Sequence, residues 1–163
     1  MAPYAVRDIV EFLEEEAPLS RIGWSLARSL LSLKEYEMSD TYRFDDEEKE
    51  HLKAISDYFR TAIEGRRALE EWTDFLKGNG TSTQHLFTDT QPYEILSKAL
   101  PKNRDFVTQA SRYAFVLDSF AEGRWPSVKT AARVGNVLTA ALGEVNRERS
   151  QLHSRGGRYD ASL

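Results

Sequence analysis

Residues Asp45–Lys77 read DDEEKEHLKAISDYFRTAIEGRRALEEWTDFLK, and this stretch decides the fold. Leu52, Ile55, Phe59, Ala62, Leu69, Trp72 and Leu76 recur at steps dominated by three and four residues, with Tyr58, Ile63, Ala68 and Phe75 beside them. That spacing draws one apolar stripe along a helix. About 33 residues at roughly 1.5 Å each make a rod of about 50 Å, so the other elements must be laid along it. Arg66 falls where the stripe expects an apolar side chain, and Gly65 precedes it. A mid-helix glycine costs about 1 kcal/mol relative to alanine. Gly65 is either simply tolerated or marks a kink or the close approach of a partner backbone.

Working towards the N-terminus, Phe44 and Asp45 read as a hydrophobic staple and an N-cap. The acidic run Asp45 to Glu48 places negative charge at the positive end of the helix dipole. A divalent-metal site there lacks the spaced oxygen ligands and the glycine of a calcium loop. A first helix opens at Pro3 and carries Val6, Ile9, Val10 and Leu13. Glu14, Glu15 and Glu16 crowd its end, and Pro18 stops it. Ser20 is the expected N-cap of a second helix that buries Ile22, Leu26, Leu30 and Leu33, flanked by Trp24 and Leu31.

Towards the C-terminus, Gly78-Asn79-Gly80 ends the long helix. A polar loop holding His85, Leu86 and Phe87 follows. Thr90 and Pro92 start a short helix that ends before Pro101. A fifth helix is expected from Asn103 to Glu122, with Phe106, Val107, Ala110, Ala114 and Leu117 inward and Phe120 beside them. Gly123-Arg124-Trp125-Pro126 is a turn that should fold the next helix back antiparallel. Ser127 caps that last helix, whose alanines and Gly135 make it thin enough for close packing. Residues 154–163 read as a tail. No strand-like alternation occurs, so the expected fold is an all-α bundle of five to six helices around the long one, a single domain over residues 1–153. Trp72, Phe59, Phe106 and Leu138 are its expected core.

Composition narrows the function classes. The chain has 163 residues, 40% of them apolar, including three Trp, seven Tyr and eight Phe. With no cysteine there is neither a disulfide framework nor a thiolate metal site. No apolar run approaches the roughly 18 residues of a membrane span, and the first residues lack the pattern of a signal peptide, so a cytoplasmic location is the default. The net charge of −4 conceals an asymmetry. Residues 1–96 hold 11 Lys and Arg against 20 Asp and Glu, whereas residues 97–163 hold 11 against 6. A basic second half invites an anionic partner; the alternative is a pair of solvated faces that complement each other or a neighbouring subunit.

The candidate nucleic-acid contacts are Lys102, Arg104, Arg112, Arg124, Lys129, Arg133, Arg147 and Arg149, with Tyr113 and Trp125 interleaved. Arginine and lysine neutralise phosphates, and aromatic rings stack on unpaired bases. Lys129 and Arg133, four apart, share a helix face. No phosphate loop, GxSxG or HExxH motif is present. His51, His85 and His153 sit on separate elements, read as surface or capping residues, and have no metal-ligand spacing. No cofactor or metal is expected. Arg147 and His153 resemble the Arg–x(4–6)–His signature of HEPN ribonucleases, which are small helical bundles too. That likeness implies RNA cleavage and supplies the enzymatic alternative.

Ala110-Ser-Arg-Tyr-Ala-Phe-Val-Leu-Asp-Ser-Phe120, then Gly123-Arg124 and Asn136-Val-Leu138, is similar to the helical C-terminal region of type I-D large subunits of CRISPR effector complexes. That region also occurs as a separate small subunit. The resemblance implies a non-catalytic ribonucleoprotein subunit of antiviral defence that associates with itself and with other protein subunits. Its basic face would track guide, target or displaced single strand, leaving the acidic half to face protein. A protein–protein adaptor bundle is the remaining alternative.

Overall fold

The computed structural model describes residues 3–79, 91–100 and 104–161. The elements are α1 (Pro3–Glu11), a π-helical turn (Phe12–Glu16), α2 (Leu19–Met38), α3 (Asp46–Asn79), α4 (Gln91–Ala99), α5 (Arg104–Arg112), α6 (Ala114–Ala121) and α7 (Val128–Ala161). No strand occurs among the described residues. The architecture is the expected all-α bundle, organised around the long helix α3. Helix α2 lies between α3 and α7, α6 and α5 pack on α3, and α1 packs with α4 beside α3. The loop with His85, Leu86 and Phe87 lies outside the described residues, as does Lys102. No helix among the described residues is long and apolar enough to cross a membrane.

Helix α3 begins with a reciprocal cap. The Glu48 N–H donates to Asp45 Oδ1 at 2.8 Å, and the Asp45 N–H donates to Glu48 Oε1 at 3.0 Å. Two otherwise orphaned backbone donors are thereby satisfied. Glu48 Oε2 accepts from Ser32 of α2 at 2.6 Å and from Tyr42 at 2.8 Å. One carboxylate therefore caps α3, fastens it to α2 and holds the connector between them. Phe44 is buried, but its ring meets Tyr36, Phe120 and Trp125 at centroid distances of 6.3, 5.2 and 5.2 Å. The position it would staple is Lys49, so the aromatic cluster takes the ring instead.

The buried row of α3 runs Leu52, Ile55, Phe59, Ala62, Gly65, Ala68, with Ser56 and Tyr58 beside it. Gly65 itself therefore occupies the row. A Cβ there would lie 3.0 Å from Leu100 Cδ1 and 3.1 Å from Leu96 Cδ1. The close approach is made by two leucine side chains rather than by a backbone. Both leucines are fully buried, each gaining about 1.5–3 kcal/mol from leaving water. Beyond Ala68 the helix leaves the core. Trp72 is only half-buried and stacks on Tyr93 of α4 at 4.5 Å. Phe59 and Leu138 are buried as expected, and the Phe106 side chain lies outside the described residues.

Four details depart from the sequence reading. Pro18, not Ser20, is the N-cap of α2; its extended ψ of 154° turns the chain, and its carbonyl accepts from the Ile22 N–H at 3.0 Å. Leu30 is half-buried, whereas Gly23, Ser25, Ser29 and Ser32 are buried on the inward face, Ser25 and Ser32 bonded to α3. The expected fifth helix is divided at Tyr113 (φ −95°, ψ 0°), where the Tyr113 N–H reaches back only three residues, to the Ala110 carbonyl. Redirected there, α6 lays Ala114, Leu117 and Phe120 into the core, and Ser56 of α3 donates to the Ala114 carbonyl at 3.2 Å. Finally, the residues read as a tail continue α7 in helical backbone to Ala161.

The Gly123 turn is a Schellman ending. Gly123 has φ +82°, the Arg124 N–H donates to the Ser119 carbonyl at 2.8 Å, and the Gly123 N–H donates to the Phe120 carbonyl at 3.1 Å. Ser127 caps α7 through the Thr130 N–H at 3.2 Å. The helices on either side do not form the expected antiparallel pair. They diverge from the turn, α6 packing on α3 and α7 chiefly along α2.

Candidate nucleic-acid interface

The divergence of α6 and α7 sets the geometry of the basic face. Arg112 ends α5, and together with Gln109, Tyr113, Phe115 and Val137 it lines a groove where the α5–α6 break meets α7. Arg133 stands one turn before Val137 on α7, and Lys129 one turn before Arg133. Arg112, Lys129 and Arg133 are all exposed. No ion pair joins them to an acidic residue within the described part of the chain. Arg112 is thus the cation that lines this groove, whose walls include Tyr113, Phe115 and Val137; Arg133 and Lys129 follow one and two turns away along α7.

The remaining basic candidates stand differently. Arg124 is exposed but pairs with Glu122 two residues earlier, so its charge is offset where the expected neighbourhood would need it. Arg147 is likewise paired, with Glu144. Arg104 belongs to α5 and Arg149 to α7, with their side chains outside the described residues. The face is therefore narrower than the sequence count: Arg112 lines the groove and Lys129 and Arg133 are exposed on the first turns of α7, whereas Arg124 and Arg147 carry partners.

The aromatic assignment also changes. Trp125 is not a platform for bases. Its ring packs on Tyr36 and Phe44 at 5.7 and 5.2 Å, and Arg43 lies over it at 4.4 Å, a cation–π contact that covers the indole. Tyr113 is half-buried against the core. The exposed aromatic of this region is Phe115, 66% accessible, which sequence reasoning missed. The signal was present: Phe115 lies on the side of α6 opposite the inward row Ala114, Leu117, Phe120, about 160° from its centre, where the core cannot reach it.

Among the described residues no histidine lines this groove. His51 is neither a surface residue nor a cap: its side chain is largely buried, Nδ1 lies 2.9 Å from Ser25 Oγ, and Nε2 lies 3.7 Å from Glu47 Oε1. The order Ser–His–Glu imitates a hydrolase triad. Ser25 is buried inside α2 at 3% exposure, and mid-helix N–H groups are already bonded along the helix and cannot form an oxyanion hole. The network fastens α2 to α3. Arg147 and His153 lie six residues apart on α7, about 120° out of phase around a helix; the His153 side chain lies outside the described residues. Among the described residues no group of three or more His, Asp or Glu is placed to hold a metal ion. No protein-family model, curated protein or solved structure matches the chain.

Proposed function

We propose that this chain binds single-stranded nucleic acid without acting on it chemically, through the groove between the α5–α6 break and α7. Arg112, Arg133 and Lys129 take phosphates, and Phe115 offers its face to a base. The observation that carries this reading is the pairing of an exposed phenyl ring with an adjacent arginine that no carboxylate neutralises. Aromatic stacking with cationic tracking of the backbone is how sequence-independent single-strand binders work. Within this proposal the chain is a subunit of a ribonucleoprotein assembly, as its resemblance to small CRISPR effector subunits implies. The acidic first half is then left to protein neighbours.

Binding titrations at several salt concentrations test it, on the purified chain and on whatever assembly co-purifies with it from its host. Lys129→Ala/Arg133→Ala should weaken binding alike across sequences. It should flatten the slope of log affinity against log salt by about 0.7 for each lost contact. Phe115→Ala should cost about 1–3 kcal/mol while leaving that slope intact. Unchanged affinity and slope in all variants would defeat the reading and leave a protein–protein adaptor. Cleavage of RNA that disappears in His153→Ala would instead favour the ribonuclease.

A further inference from the structure

Helix α2 turns one face into the bundle and leaves three large apolar side chains outside it. Trp24, Leu31 and Met38 are 60, 59 and 77% exposed. They are seven residues apart, and seven residues fall only about 20° short of two full turns. The three therefore lie in one line along the helix, opposite the buried Ile22, Leu26, Ser29, Leu33 and Tyr36. Single exposed apolar residues are ordinary. A line of them at the spacing of a coiled-coil seam is the pattern by which one helix meets another. No described element of the chain packs over it.

We propose that the occupant is a second copy of this chain, docked through its own α2 in antiparallel orientation about a twofold axis at Leu31. The flanking charges fit this arrangement. Arg28 and Glu35 lie on the same side of the stripe, on either side of Leu31. An antiparallel twofold pair brings like sides together and exchanges the ends, so Arg28 of each copy faces Glu35 of the other, twice. It also sets Met38 of one copy on Trp24 of the other, a thioether against an indole. A parallel pair would also pair Glu35, with Lys34 of the other copy, but it would place Arg28 against Ala27 and stack each residue of the stripe on itself, so the Met38–Trp24 contact is what distinguishes the antiparallel form. Glu35 is exposed and forms no ion pair within the described chain. Arg28 makes one long contact, 3.7 Å, with Glu47 and lies 6.0 Å over the Trp24 ring; its Nε is buried, and its terminal guanidinium nitrogens form no hydrogen bond within the described chain. Self-complementarity of one patch is what a twofold dimer requires.

Sedimentation equilibrium from low to high micromolar protein tests the proposal. The parent should approach twice the monomer mass, and Leu31→Arg should stay monomeric with an unchanged helical circular dichroism spectrum, since Leu31 is outside the core. A parent that remains monomeric throughout, or a Leu31→Arg variant that dimerises like the parent, would overturn it. Orientation is read separately, because the chain has no cysteine. Under mild oxidation Leu31→Cys should cross-link to itself. Met38→Cys should not, because its two copies would stand about 20 Å apart along the antiparallel pair. Equal cross-linking of both variants would overturn the antiparallel geometry.

Discussion

The hydroxyl of Tyr36 donates to the backbone carbonyl of Pro126, tying the last turns of α2 to the residue that precedes the cap of α7. Around this bond Tyr36 meets Phe120 edge-on at 5.3 Å and Trp125 at 5.7 Å. The bond fixes the start of α7, and through it the direction in which Lys129 and Arg133 leave the bundle. Tyr36→Phe keeps the ring packing and should cost about 0.5–1.5 kcal/mol, the net worth of one hydrogen bond. Tyr36→Ala should cost about 3–5 kcal/mol through the cavity it leaves. Denaturant unfolding measures both; equal midpoints for parent and Tyr36→Phe would show the bond contributes nothing.

Glu48 serves three partners with one carboxylate. Glu48→Ala removes the carboxylate half of the reciprocal cap and orphans the Tyr42 hydroxyl, while Ser32 keeps the Arg28 carbonyl at 3.2 Å, so we expect a loss of about 1.5–3 kcal/mol, against roughly 1 kcal/mol for a simple cap. A loss near that smaller figure would mean the Tyr42 hydroxyl finds water instead. The same contact predicts an alkaline dependence. The hydrogen bond to Glu48, burial and nearby carboxylates push the Tyr42 pKa up to about 12. The unfolded value is about 10. The contribution is therefore complete below about pH 10 and is lost as pH rises towards 12. Tyr42→Phe should remove this component from a stability–pH profile.

Asp118 gives the acid counterpart. Burial alone would raise its pKa, but the hydrogen bond from Arg60 and the charges of Arg60 and Lys53 outweigh burial and hold it below the ordinary carboxyl value. Its contribution is present above the unfolded value of about 3.9 and is lost as pH falls through the lower folded value. Asp118→Asn should be less stable than the parent at neutral pH. The gap between the two should close below about pH 4. A gap that persists unchanged in strong acid would assign the effect to packing rather than charge.

Gly65→Ala sets helix propensity against packing. Alanine gains about 1 kcal/mol in a helix interior. Its methyl would meet two leucine methyl groups at 3.0 and 3.1 Å, and both leucines are fully buried and have little room to retreat. Overpacking costs about 1–3 kcal/mol, so we expect a net loss of up to about 2 kcal/mol. A thermal melt at higher temperature than the parent would show that α4 can move aside.

The chain's own sequence determined what short-range chemistry controls. The stripe Leu52, Ile55, Phe59, Ala62 requires a helix, and Asp45, Gly123 and Ser127 satisfy or release backbone groups within three to five residues of themselves, so these two caps and this helix end were legible, whereas the Ser20 cap was not. The all-α class follows from the same periodicity. Tertiary packing alone decided the rest. No glycine or proline marks Tyr113; the helix breaks there because seating Leu117 and Phe120 on α3 returns more than the interrupted turn loses. Gly65 acquires its purpose only when Leu96 and Leu100 arrive from α4. Trp125 and Phe115 exchange roles because a cluster built from Tyr36, Phe44 and Phe120 accepts one ring and excludes the other. A helix pattern records which side of a segment is apolar, whereas the partner of that side, and the apolar residues left without one, are set by contacts between distant parts of the chain.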